Sequence, residues 1–230
     1  MEPAAKPRVL FVYYTFTKQA LKVTEDMESV FHSRGWDTVR AQIELTDPRY
    51  APRFEQFPLK HRYLDILRLL PAQLRRATGE IRIPAEAEAG RYDLVCIGSP
   101  TWWLTTCMPI RSYLKSDAAA KLLDGRSVAA FVVCRRYWKN NLKTVQRLST
   151  SNGATCLDAT HFKYLGGQVR SLLSLISYLG TGEYRERYLG VKIPPTNVQP
   201  DGDDAARAFA TRLVDRLEVV GPLTKEMGDA

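Results

Sequence analysis

The chain has 230 residues, with 45% hydrophobic and 25% charged positions, a balance that excludes a fibrous or intrinsically disordered protein and fits one domain over residues 1–230. Lys and Arg total 33 against 25 Asp and Glu, a formal charge of +8, so the surface attracts anions such as phosphates or acidic lipid head groups. Zinc-finger spacing, an RNP signature and a helix-turn-helix pattern do not occur, and no nucleic acid partner is expected.

The first residues run from a short polar leader straight into an apolar strand, without a cleavage pattern. Residues 9–14, 38–43, 94–97 and 128–134 are runs of β-branched and aromatic residues bounded by turn residues, and 154–162 is a weaker one. Segments of helical period lie between them. The first, over residues 18–34, places Leu21, Thr24, Met27, Val30 and Phe31 near one stripe and stops at Gly35. Another opens at 108–114 with Pro109 in its first turn; Asn140 or Asn141 caps a third through about Leu148. A last one, 205–217, follows an acidic start at 201–204. This alternation predicts a doubly wound α/β fold, a five-stranded parallel sheet with about five helices.

Two stretches exceed simple connections. Residues 46–90 contain Tyr63, Ile66, Leu67 and Leu70 at helical spacing, followed by Pro71, which breaks or bends the helix. From 46 to 82, Arg49, Arg53, Lys60, Arg62, Arg68, Arg75, Arg76 and Arg82 outnumber Asp47, Glu55, Asp65 and Glu80, making the stretch basic and amphipathic. Residues 163–200 hold the apolar 172–179 segment and Ile193-Pro194-Pro195. The longest uncharged run, 172–182, is far shorter than the ~20 residues a membrane span needs. Cys96, Cys107, Cys134 and Cys156 form no CxxC pair, which fits a reducing setting. The expectation is a cytoplasmic protein, soluble or peripheral to a membrane.

In an open parallel sheet, ligands bind beyond the carboxyl ends of the strands, where strand order reverses. After the first strand come Thr15, Phe16, Thr17, Lys18, Gln19 and Ala20, which place hydroxyls, an amide and backbone N–H groups at a helix start, a setting that suits phosphate. Plain N-capping by a threonine explains this loop equally well. After the third strand come Gly98, Ser99, Pro100, Thr101, Trp102 and Trp103. Adjacent tryptophans in a loop need a cover: a planar ligand is one, and core packing of one ring with a subunit contact for the other is the alternative. After the fourth come Cys134, Arg135, Arg136, Tyr137, Trp138 and Lys139, aromatic rings among cations, as a flavin ring and its reduced anion require, or a solvated basic loop. His32, His61 and His161 and the four cysteines show no metal-ligand spacing, and Ser99 does not lie in a G-x-S-x-G turn.

Tyr14-Thr15-Phe16-Thr17, the run from Tyr92-Asp93 through Gly98–Trp103, and the aromatic fourth loop resemble the superfamily of flavodoxins and FMN-dependent quinone reductases, over residues 8–162 and the last helix. The resemblance implies that Thr15, Thr17 and Gln19 hold an FMN phosphate, that Ser99–Trp103 line the ribityl chain and ring, and that Tyr137 or Trp138 stacks on the ring or closes its edge. The phosphate loop departs from the superfamily pattern, S/T-x-T-G-N-T, at Lys18 in the glycine position and Ala20 in the last threonine position. The basic charge and the two long segments point to the enzyme branch, with NAD(P)H as hydride donor and a quinone or another small molecule as electron acceptor. Arg135 and Arg136 would stabilise reduced flavin or contact nucleotide phosphates. A homodimer is also implied. The alternative is a non-catalytic or electron-carrying module that docks on a partner protein or an acidic membrane surface through 46–82 and 172–188.

Overall fold

The structure, a computed structural model, describes residues 6–59, 61–163, 167–196 and 200–220. Lys60 and the side chains of Arg62, Tyr63, Asp65, Ile66 and Asp201, which enter the expectations above, lie outside the described residues. In chain order the elements are β1 (Arg8–Tyr13), α1 (Gln19–Ser33), β2 (Asp37–Gln42), α2 (Arg62–Leu74), β3 (Leu94–Trp102), α3 (Met108–Leu114), α4 (Asp117–Leu123), β4 (Ser127–Cys134), α5 (Trp138–Ser151), β5 (Thr155–Lys163), α6 (Gln168–Thr181) and α7 (Pro200–Val220). The five strands are parallel in the order β2-β1-β3-β4-β5. The chain moves outward from β1 to β2, then crosses back to β3 and on to β5. The reversal therefore lies between β1 and β3, and the crevice outside their carboxyl ends is the expected ligand position.

Both sheet faces are covered at its centre, which is why the inner strands β1, β3 and β4 read as continuous apolar runs. Alternate residues feed two cores. Val9, Phe11, Tyr13, Leu94, Cys96, Ala129, Phe131 and Val133 pack with Val23, Met27 and Phe31 of α1 and Phe209, Leu213 and Val214 of α7. Leu10, Val12, Val95, Ile97, Val128, Ala130 and Val132 pack with Ile110 and Leu114 of α3, Leu122 of α4, and Leu142 and Val145 of α5. Ion pairs Lys22–Asp203, Arg207–Asp26 and Arg34–Asp215, at 2.7 to 3.1 Å, tie α7 to α1.

Several predicted boundaries move. The strand expected at 94–97 continues to Trp102, because Gly98, Ser99 and Pro100 stay in register with Phe131, Val132 and Val133 of β4. Its last residues then pair antiparallel with the two-residue strand Thr105–Thr106. Helix α5 starts at Trp138, ahead of the predicted Asn140 or Asn141, because left-handed Tyr137 (φ 61°) supplies the N-cap geometry. Helix α2 continues through Pro71 to Leu74: Pro71 is exposed, so the Leu67 carbonyl that loses its partner can face water. The helices number seven among the described residues, against about five predicted.

The long segment after β2 is pinned at both ends. Glu44–Leu45 pairs with Ile81–Arg82, and the buried Asp47 carboxylate accepts from Arg49 N, Nε and Nη2 and from Glu80 N at 2.7 to 3.2 Å. The Arg49 guanidinium holds the Asp47 carboxyl at about 2. The folded pKa lies below the ordinary value, so this contribution to stability is complete above about pH 4 and disappears as pH falls through about 2. Urea midpoints of the parent and of Asp47→Asn should therefore differ at pH 6 and converge near pH 2; an equal difference at both pH values contradicts the assignment. A second constraint is Gly98, where a Cβ would fall 2.3 Å from Phe131 Cζ, inside the sheet core. Gly98→Ala should destabilise by roughly 1–3 kcal/mol, with partial recovery by Phe131→Leu in the same chain. An unchanged urea midpoint for Gly98→Ala refutes the clash.

Candidate functional site

The loop after β1 enters α1 without a side-chain cap. Lys18 sits at the N-cap in the left-handed region, φ 61° and ψ 6°, the position where the superfamily pattern has glycine. The first helical bond runs from Lys22 N–H to Lys18 C=O, at 2.9 Å. A helix start has N–H groups that no intrahelical carbonyl can accept, and its dipole favours an anion. Thr15, Phe16 and Thr17 are half-buried and Lys18 is exposed. Ala20 is buried in the α1–α7 core, so a larger, polar threonine there would disturb packing. Buried Gln19 donates its amide to Thr17 C=O at 3.4 Å.

At the end of β3, Ser99 is fully buried, with Oγ 3.6 Å from Cys107 Sγ and donating to Pro100 C=O at 3.1 Å. Burial pushes the Cys107 thiol up to about 11, so it stays protonated. Thr101 Oγ1 accepts from Asn141 Nδ2 at 3.0 Å. Trp102 lies between two rings: Phe54 stacks on it with centroids 4.8 Å apart and planes 18° apart, and Tyr14 meets it edge-on at 5.3 Å. Trp103 is half-buried and turns the chain with φ 56°.

The third loop points elsewhere. Cys134 is buried and its thiol is pushed up to about 12 by burial. Arg135 Nη1 donates to Ser171 Oγ of α6 at 3.0 Å. Tyr137 is exposed, under the Arg136 guanidinium. Trp138 stacks on His161 of β5, centroids 3.7 Å and planes 7° apart. Burial, followed by the Lys163 charge, lowers the His161 pKa and favours the neutral imidazole. The structure thus brings the first two predicted loops together through Tyr14 and Trp102, and turns Arg135 and Trp138 toward α6 and β5.

Several residues at this edge have no place in the site expected from the sequence. Phe54 covers Trp102 and also touches Phe16, centroids 5.3 Å apart. Phe16 continues to Phe57, and Phe57 to Tyr178 of α6, forming a strap of rings across the crevice. Gln73 of α2 is fully buried; its amide donates at 3.1 Å to Trp102 C=O, Thr105 Oγ1 and Thr106 C=O, and its Oε1 accepts from Arg111. Arg111 is almost fully buried, burial lowers its pKa, and its Nε and Nη1 have no partner. Asn141 is fully buried with Oδ1 unpartnered. Only the aromatic content of Phe54 and Phe57 was a usable signal; buried Gln and Asn positions have no local signature.

A separate cleft of about 530 Å³, lined by Ser174, Tyr184, Arg185, Lys192 and Thr196 among others, contains none of the predicted cofactor residues. Among the described residues, no group of three His, Cys, Asp or Glu side chains is placed to hold a metal ion, and no helix is long and apolar enough to cross a membrane.

No protein-family model matches the sequence, and no curated protein does. Solved structures do match the fold. Oxidised flavodoxin 1 from Bacillus cereus superposes with a TM-score of 0.52 at 10% identity, over 91% of this chain and 99% of that one. A flavodoxin from the domain Archaea gives 0.50 at 10% identity, over 92% and 99%. With the strand order β2-β1-β3-β4-β5 and helices on both faces, the chain has the flavodoxin-like fold.

Proposed function

We propose that this chain binds FMN at the β1–β3 reversal and acts as an oxidoreductase, passing electrons from NAD(P)H to a quinone-like or other small acceptor. The observation that carries this reading is the uncapped start of α1, with left-handed Lys18 beside it, at the sheet's reversal point. Thr15, Thr17, the loop N–H groups and the Lys18 ammonium fit a phosphate: hydroxyl and amide donors supply hydrogen bonds, and the helix dipole and cation supply charge. The β3 residues 99–103 would flank the rest of the cofactor, mainly through backbone, since the Ser99 hydroxyl is already engaged.

FMN, when bound, supplies the two-electron chemistry. The chain's own part is position and field. Trp102, Phe54 and Tyr14 exclude water from the edge of the crevice, and exposed Arg136 contributes positive charge at the same end of the sheet. The net charge of +8 favours anionic nucleotides in the encounter.

Purified protein should be yellow, or take up FMN with a shifted visible spectrum, and NAD(P)H should bleach it within seconds. A colourless chain that ignores added FMN removes the proposal; a yellow one that NAD(P)H does not reduce leaves only the electron carrier. Lys18→Glu should weaken FMN binding roughly tenfold, through lost attraction and added repulsion. Lys18→Gly should also weaken binding, while raising apoprotein stability by about 1 kcal/mol through release of the left-handed strain. Phe54 occupies the face of Trp102 on which a planar ring would stack. Phe54→Ala should therefore raise FMN affinity roughly two- to tenfold, measured by quenching of flavin fluorescence; a loss of affinity would show that Phe54 is part of the binding surface.

A further inference from the structure

The exposed face of α2 has an unusual composition. Leu64, Leu67 and Leu74 are 52%, 55% and 56% exposed, and Arg68, Pro71 and Arg75 are exposed between them. Spacings of three, four and seven residues put these positions on one side of the helix. The opposite side supplies Leu69, buried against the domain, and Gln73, fixed to the β3 end. The helix therefore faces solvent with leucines and arginines, where a surface helix ordinarily presents polar residues. The neighbouring α6, which packs against α2, has exposed apolar residues of its own, Val169 and Leu172. Single exposed leucines are ordinary on a protein surface, but a stripe of them marks a contact surface.

We propose that this face of α2 docks on an anionic lipid surface. Charge selects the occupant. Leucines flanked by exposed Arg68 and Arg75 match the boundary of a bilayer, where acyl chains take the apolar side chains and acidic head groups pair with guanidinium groups. A second copy of the chain is a poorer occupant: a two-fold contact would set Arg68 and Arg75 of one copy against those of the other. Docking places the carboxyl end of β3, to which Gln73 is bonded, about one helix diameter (~10 Å) from the lipid surface.

Flotation of the full chain with vesicles tests this without reference to flavin. The protein should float with vesicles of about one-third phosphatidylserine in phosphatidylcholine, stay in solution with phosphatidylcholine alone, and be released by ~0.5 M salt. Leu64→Ser with Leu67→Ser and Leu74→Ser should lower the partition coefficient at least tenfold, roughly. Arg68→Gln and Arg75→Gln should each lower it about fivefold. Circular dichroism and the urea midpoint check that each variant remains folded; the spectra should match the parent, and the triple variant's midpoint should fall modestly, serine being a poorer helix former than leucine. The proposal is overturned if the parent stays in solution with acidic vesicles, if the folded triple variant floats as well as the parent, or if sedimentation shows a dimer that the leucine substitutions dissociate while vesicle binding is absent.

Discussion

Pairing of β3 on both edges is the constraint on which the rest of the structure depends. Residues 94–98 are in register with β1 and residues 95–100 with β4, so the strand cannot slip by one residue without exchanging its two faces. Gly98 makes the fit possible, since only a residue without a side chain lets Phe131 lie across the strand at that point. With β3 fixed, the β1–α1 loop and the Trp102–Trp103 turn meet at one edge of the sheet. That edge is where the order of strands reverses.

The long segment between β2 and β3 is held by polar anchors more than by apolar burial. Asp47 binds the two ends together, and Gln73 uses its amide to tie α2 to the end of β3. Such groups are strongly directional because leaving any of them unpaired inside the protein costs roughly 1–3 kcal/mol. Arg111 extends the same network at a cost, being a buried cation whose Nη2 donates to the neutral Gln73 amide and whose Nε and Nη1 are unpaired. Leu69 and Gln73 face the domain from α2, and Leu64, Leu67 and Leu74 on its other side are left to the surface.

Aromatic residues close the same edge from above. Phe54 and Phe57 leave the segment just after the Asp47 anchor and reach Trp102, Phe16 and Tyr178. Edge-to-face and offset contacts of this kind contribute about 0.5–1.5 kcal/mol each beyond the area they bury. These contacts hold the strap over the Trp102 indole. The open loop at α1 and the covered indole at β3 thus give the crevice two unequal ends: one ready for charge and one closed by apolar rings.

The sequence by itself determined the layered architecture. Short apolar runs rich in β-branched residues, alternating with stripes of helical period such as Leu21–Phe31, point to strands covered by helices; the loops at Thr15–Ala20 and Ser99–Trp103 were legible for the same reason, because they follow those runs. Tertiary structure decided what those loops touch. Local pattern did not show that β3 would run on to Trp102, since that extension rests on pairing with β4 as far as Pro100 and then with Thr105–Thr106. Nor could it show that Ser99 would turn inward to Cys107, that Trp138 would stack on His161, or that Phe54, more than forty residues away in sequence, would cover Trp102. Those outcomes depend on contacts between distant segments, which the period of a sequence does not encode, and on buried polar pairs such as Gln73 and Arg111, whose partners exist only once the sheet has formed.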